Sequence, residues 1–241
     1  MNRARKLIEQ LLVEVEDGQA AGKIEFAKIS LEQAYKYIDS IKKKKLDIEK
    51  DLPDFEKNFK AAQSKAKKGW TVRKDMPVIE MEDVRKLQAR LEKGTLDINK
   101  PFADDTNPKH PFPTGLKGFD AKNFLKRGLS DGSITDDQIS VKMVQVNVKD
   151  LIPIQRQIYF DKGFGKTVEL GIKASTNFIT SGSVFIINKE NYIFDGHHRF
   201  LSAMLIDPNM KVFALQIDLP LKKLLPLTVA YSDAIGHKRN K

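Results

Sequence analysis

Between Asn99 and Asp131 the chain interleaves Pro101, Pro108, Pro111 and Pro113 with Gly115, Gly118 and Gly128. Proline removes a backbone donor and restricts the residue before it, so neither a long helix nor an inner strand runs through such a stretch. The 241 residues therefore divide into a helical basic region (1–98), a Pro/Gly-rich linker or irregular segment (99–140) and a β-rich domain (141–241). His110, between Lys109 and Pro111, reads as a solvated loop histidine.

The first region has helical rhythm. Leu7, Ile8, Leu11, Leu12 and Val15 share one stripe, and Gly18 and Gly22 close that element. Ser30 and Gln33 form a capping-box pattern ahead of Ala34, Tyr37, Ile38 and Ile41. Phe55, Phe59 and Ala62 predict a further amphipathic stretch ending near Gly69. Between Lys36 and Lys74 basic residues outnumber acidic ones about two to one, which reads as a solvated lysine face or as an arm for nucleic acid or a partner. Trp70, among Lys67, Lys68, Arg73 and Lys74, adds an aromatic surface to those cations.

The net charge of +10 favours encounters with polyanions. The chain has no cysteine, which excludes disulfides, Cys-based zinc sites and thiol nucleophiles. Charges run through the apolar start of the sequence, so neither a secretory signal nor a membrane span is expected, and a cytoplasmic location is the default.

Beyond residue 140 the pattern alternates. Val144, Val146 and Val148 predict one face of a strand, and Val184 to Ile187 and Tyr192 to Phe194 flank a polar break of hairpin length. Phe200 to Ile206 reads as an apolar helix ended by Asp207 and Pro208, Val212 to Ile217 as a strand, and Leu221 to Leu227 as a short helix. This order implies a mixed α+β domain.

The most informative segment is Asp195-Gly-His-His-Arg199, at the junction of a strand and a helix. Gly196 permits an unusual turn, and the amides after it lack intrahelical partners. A helix start of this kind attracts anions. His197, His198 and Arg199 add donors there, with Arg199 able to present a bidentate fork to phosphate. Asp195 could cap the helix, orient a histidine or hold magnesium. A metal site made by the adjacent histidines is disfavoured, because consecutive helical side chains diverge.

Gly163-Phe-Gly-Lys-Thr167 invites comparison with a P-loop, but Phe160 stands where the Walker pattern needs glycine. It reads as a flexible cationic loop from which Lys166 could cover phosphate. Gly132 to Asp137 reads as a helix-capping turn and lacks the ligand spacing of a calcium loop.

The segment from about Val144 to Leu219 resembles the ParB/sulfiredoxin superfamily. The residues that carry the likeness are Val146-Asn-Val-Lys-Asp-Leu-Ile-Pro-Ile-Gln-Arg156, Ser181-Gly-Ser-Val-Phe-Ile-Ile187 and Asn191-Tyr-Ile-Phe-Asp-Gly-His-His-Arg-Phe200. They are followed by the helix with Ala203 and by Val212 to Ile217. The superfamily includes a free-serine kinase with the Asp-Gly-His-His-Arg sequence. The resemblance covers under a third of the chain and implies a small mixed-sheet fold that binds ATP or another nucleotide, with Mg2+ at Asp195. Phosphates would sit at Gly196 to Arg199, and Gln155 and Arg156 would face the same cleft.

His197 stands where sulfiredoxins carry cysteine, so their repair reaction is excluded. ParB's Gly-Glu-Arg-Arg is replaced by Gly196-His-His-Arg199, and no helix-turn-helix follows. The expectation is a phosphotransferase or nucleotide hydrolase. Asp195, His197 and His198 are its candidate catalytic residues, Gly196, His198, Arg199, Gln155, Arg156 and Lys166 bind the nucleotide, and Glu169 and Asp161 are weaker candidates for the base. The rivals are a noncatalytic DNA-binding protein of phage or plasmid type and a ParB-like nuclease.

Overall fold

A computed structural model describes residues 23–93 and 138–238. The first expected helix at Leu7 to Val15, the Pro/Gly-rich segment with His110 and the turn at Gly132 to Asp137 lie outside the described residues.

Helix α1 spans Leu31–Ser40. Ser30 Oγ accepts the Gln33 amide and Gln33 returns a bond to the Ser30 amide, so the capping box forms as the sequence predicts. The helix stops short of the lysine run, because Ile41 is extended. A short α2 (Ile48–Asp51) leads to α3 (Phe55–Lys67), which buries Phe55, Phe59, Ala62 and Ala66 along one face. Helix α4 (Met81–Glu92) buries Val84, Leu87 and Leu91 at i, i+3 and i+7.

The remaining strands and helices are β1 (Val141–Asn147), β2 (Ile152–Pro153), α5 (Lys166–Leu170), α6 (Ile172–Asn177), β3 (Phe185–Asn188), β4 (Tyr192–Asp195), α7 (His197–Ile206), β5 (Lys211–Ile217) and α8 (Leu221–Ala234). The strands form one mixed sheet in the order β1-β5-β3-β4-β2. The outer β1 pairs antiparallel with β5, β5 runs parallel to β3, β3 and β4 form the expected antiparallel hairpin, and β2 lies parallel to β4.

Both faces of the sheet are covered, which explains why β3 is apolar throughout rather than alternating. On one face Val212, Ala214, Phe185, Ile187 and Ile193 meet α1, α3 and α7. On the other, Ile186, Phe194, Leu215 and Ile217 meet α4 and α8. Helices from the basic N-terminal part thus share their cores with the sheet. Phe26, Phe55 and Phe59 pack with Phe160 and Phe164 in one aromatic cluster, with ring centroids 4.9 to 6.4 Å apart.

Two elements differ from the sequence expectation. Residues Asp161–Gly165 form a wide helical turn running into α5, and Gly163, Phe164, Gly165 and Thr167 are buried. The segment is core, not a flexible loop, because Phe164 anchors it among aromatic rings. Helix α8 also runs past Leu227, since Val229, Ala230 and Tyr231 extend its buried face. Ser232 Oγ ties that extension to the Val78 backbone at 2.8 and 3.1 Å. Among the described residues no helix is long and apolar enough to cross a membrane.

Candidate functional site

Strand β4 ends at Asp195, and Gly196 reverses the chain into α7 with φ +108° and ψ 16°. Glycine is required twice over at this position. The positive φ disfavours any side chain, and a Cβ would fall 2.6 Å from Phe185 Cδ1. The Gly196 carbonyl accepts the first α7 bond, from Phe200 at 2.8 Å. No side chain caps the helix, so the amides of His197, His198 and Arg199 precede its hydrogen-bond ladder.

The side chains of the motif go to three different places. His197 is 5% exposed, and its Nε2 accepts the Gln155 amide at 3.1 Å. His198 Nε2 accepts the Tyr159 amide at 3.3 Å, and its ring stacks on Tyr159 with centroids 6.1 Å apart. Burial, then the Arg199 charge, push His197 down to about 3. Burial, then Lys162 and Arg73, hold His198 well below the ordinary imidazole range. Both rings are therefore neutral at pH 7. An accepting Nε2 places the single proton on Nδ1, so each ring offers an N–H and no lone pair for taking up a proton. Neither candidate catalytic histidine presents a free Nε2 or a cationic ring to a ligand. Instead they suture α7 to the 155–159 segment.

Arg199 pairs through Nη2 with Asp195 Oδ2, donates through Nη1 to the Val184 carbonyl at 3.2 Å and lies 5.0 Å from the Phe185 ring centroid. The fork expected to face phosphate is thus engaged within the protein. Asp195, expected to cap the helix, orient a histidine or hold magnesium, neutralises Arg199 instead. Among the described residues no group of three or more His, Asp or Glu side chains could hold a metal ion. One carboxylate already paired with arginine does not fit a resident magnesium site.

The structure brings the Gln155 backbone to the His197 ring, whereas the Gln155 side chain turns to the Gln157 carbonyl. The buried Gln155 bonds His197 through its backbone, while Arg156 is exposed. Lys166 instead pairs with Glu169 at 2.8 Å. Asp161 accepts the Ile24 amide at 3.2 Å. Asp161 and Glu169 both add to burial in pushing the Tyr37 hydroxyl up to about 12, which places these candidate bases around Tyr37.

Sequence reasoning missed the cations gathered near the His198 and Tyr159 rings. Lys162 and Arg73 act on His198, and Lys23 and Arg73 each lie 5.7 Å from the Tyr159 ring centroid. Arg73 arrives because residues 69–73 run along 154–157. Trp70 and Thr71 donate to the Ile154 carbonyl at 2.7 and 3.1 Å, and Arg156 donates to the Thr71 carbonyl at 2.9 Å. The Arg73 amide then bonds Gln157 Oε1 at 3.0 Å. Partners 84 residues apart leave no signal in local periodicity. Only the cation-rich composition around Trp70 pointed that way.

A depression of about 560 Å3, lined by Asp83, Lys86, Arg90, Tyr231 and His237 among others, lies between α4 and α8. It shares no lining residue with the Gly196 turn. No family model, curated protein or solved structure matches the chain.

Proposed function

We propose that this chain binds the phosphates of a nucleotide at the amino end of α7 and hydrolyses or transfers one of them. The observation that carries the reading is the uncapped helix start behind a left-handed Gly196, in a neighbourhood where Lys162 and Arg73 act on the adjacent His198. Backbone amides at a helix start and nearby cations are the groups that hold phosphate oxygens. The likeness of Asp195 to Arg199 to the phosphate turn of the ParB/sulfiredoxin superfamily supports the same assignment, with the serine-kinase branch as the nearest pattern.

The division of labour differs from the one the motif implies. Backbone amides and Lys162, Arg73 and Arg156 meet the phosphates. The neutral imidazoles hold the turn in place and offer Nδ1–H donors. The Asp195–Arg199 pair cancels the acidic charge that Asp195 would present to the ligand. Charge developing on the transferred group is stabilised by these fixed donors, which is the dominant contribution in phosphoryl transfer.

Calorimetric titration with ATP, CTP and ADP, with and without magnesium, tests the binding. Release of labelled phosphate tests turnover. Replacing Lys162 and Arg73 with alanine removes about fivefold in affinity for each charge, corresponding to roughly 1 kcal/mol per exposed ion pair. Nucleotide affinity unchanged in the double variant would reject the site.

A further inference from the structure

We infer that Trp70 is the platform on which the base of the bound nucleotide stacks. This inference rests on the phosphate reading of the α7 amino end and names the part of the ligand beyond the phosphates. Three large hydrophobic side chains are well exposed among the described residues: Trp70 at 56%, Met143 and Phe213. Met143 and Phe213 sit on β1 and β5, at the opposite edge of the sheet from β2. Trp70 is the one of the three whose backbone joins the 154–156 segment.

Its position is set by backbone contacts. The Trp70 amide donates to the Ile154 carbonyl at 2.7 Å, and Thr71 forms a parallel bridge with Gln155. Gln155 is the residue whose amide bonds His197. The Trp70 segment is therefore joined to α7 through Gln155 and the His197 ring. The preceding Gly69 fits so tightly that a Cβ there would lie 2.6 Å from the Arg156 nitrogen. Glycine at 69 lets the chain run against Arg156.

An exposed indole on an immobilised backbone loses little freedom when a flat ring stacks on it. Stacking also tolerates any base, since every base presents a π-face. The neighbouring Lys67, Lys68 and Arg156 are exposed and suit a ligand that carries phosphate beside its base. The chemistry assigned is thus a mononucleotide, with phosphates at the Gly196 turn and the base over Trp70.

The chain contains one tryptophan, so intrinsic fluorescence reports this residue alone. The whole protein is titrated with ATP, CTP and inorganic tripolyphosphate, with binding followed in parallel by calorimetry. Both nucleotides should quench the emission saturably, whereas tripolyphosphate should bind without quenching. Trp70→Leu should weaken nucleotide binding roughly tenfold, within the range for one stacked base, and leave tripolyphosphate affinity unchanged. Trp70→Phe should retain most of the nucleotide affinity.

If nucleotides bind no more tightly than tripolyphosphate and leave the emission unchanged, the stacking role fails while the phosphate site stands. If tripolyphosphate and nucleotides all fail to bind, the phosphate reading itself fails. Quenching by a short single-stranded oligonucleotide with no response to mononucleotides would overturn the mononucleotide assignment. Trp70 is exposed, so unchanged melting of Trp70→Leu provides the folding control.

Discussion

Two segments of this chain combine glycine with cations, and they play opposite parts. Gly163-Phe-Gly-Lys166 and Gly196-His-His-Arg199 look alike as compositions, yet only Gly196 has a positive φ. At Gly163 and Gly165 the backbone is helical, and glycine serves close packing. A Cβ at Gly163 would lie 3.1 Å from the His198 carbonyl oxygen, and one at Gly165 would lie 2.6 Å from the Tyr37 hydroxyl. One glycine pair lets a helical turn press against its neighbours, whereas Gly196 bends the chain so that three amides begin a helix. What separates them is the conformation the glycine is needed for.

Substitution by alanine separates the two roles most sharply. Gly196→Ala meets both an unfavourable φ and the Phe185 ring, and should cost roughly 3 kcal/mol from backbone strain and overpacking together. A melting temperature lowered by about 10 °C would report this. Gly165→Ala meets only the end of the Tyr37 side chain and gains helix propensity, so it should cost about 1 kcal/mol or less. Equal losses in thermal melts of the two variants would erase the distinction.

The buried histidines give the Gly196 turn a pH signature that the 163–166 segment lacks. Their folded-state pKa values lie below the unfolded value near 6.5, so the unfolded chain binds more protons as pH falls. Stability is full above about 6.5 and declines below it. His197 contributes a slope of about 1.4 kcal/mol per pH unit down toward about 3. His198 adds to the decline in the same direction. Denaturation midpoints measured from pH 7.5 to 5 should fall, and His197→Gln should flatten the fall. A midpoint that stays level from pH 7.5 to 5 would mean that His197 titrates normally in the folded protein.

A smaller effect concerns Lys162, which belongs to the packed turn by position and to the candidate site by charge. Lys162→Ala should change stability by no more than about 0.5 kcal/mol, as for an exposed side chain. Chemical denaturation checks this, and nucleotide titration should show a severalfold loss of affinity in the same variant.

Local features were legible in the sequence: the Ser30 capping box, the β3–β4 hairpin, the helix from Phe200 to Ile206 and the bend at Gly196. Each depends on residues within one or two turns of each other. The stripe of Val84, Leu87 and Leu91 was also readable, with Glu80 and Asp83 as its cap, although it was not picked out. The destinations of the site side chains were not readable. Whether Arg199 faces phosphate or Asp195 depends on Val184 and Phe185 arriving beside it. The neutrality of His197 depends on burial and on the Gln155 amide 42 residues away. The course of residues 69–73 along 154–157 is a long-range pairing with no periodic trace.

The central claim is that phosphate meets the amides that open α7. Backbone amide resonances of the 15N-labelled protein, followed during titration with tripolyphosphate, test it most directly. The signals of His197, His198 and Arg199 should move together and saturably, with smaller shifts at Arg73 and Arg156. Shifts confined to other parts of the chain, with these three amides unmoved at saturation, would contradict it.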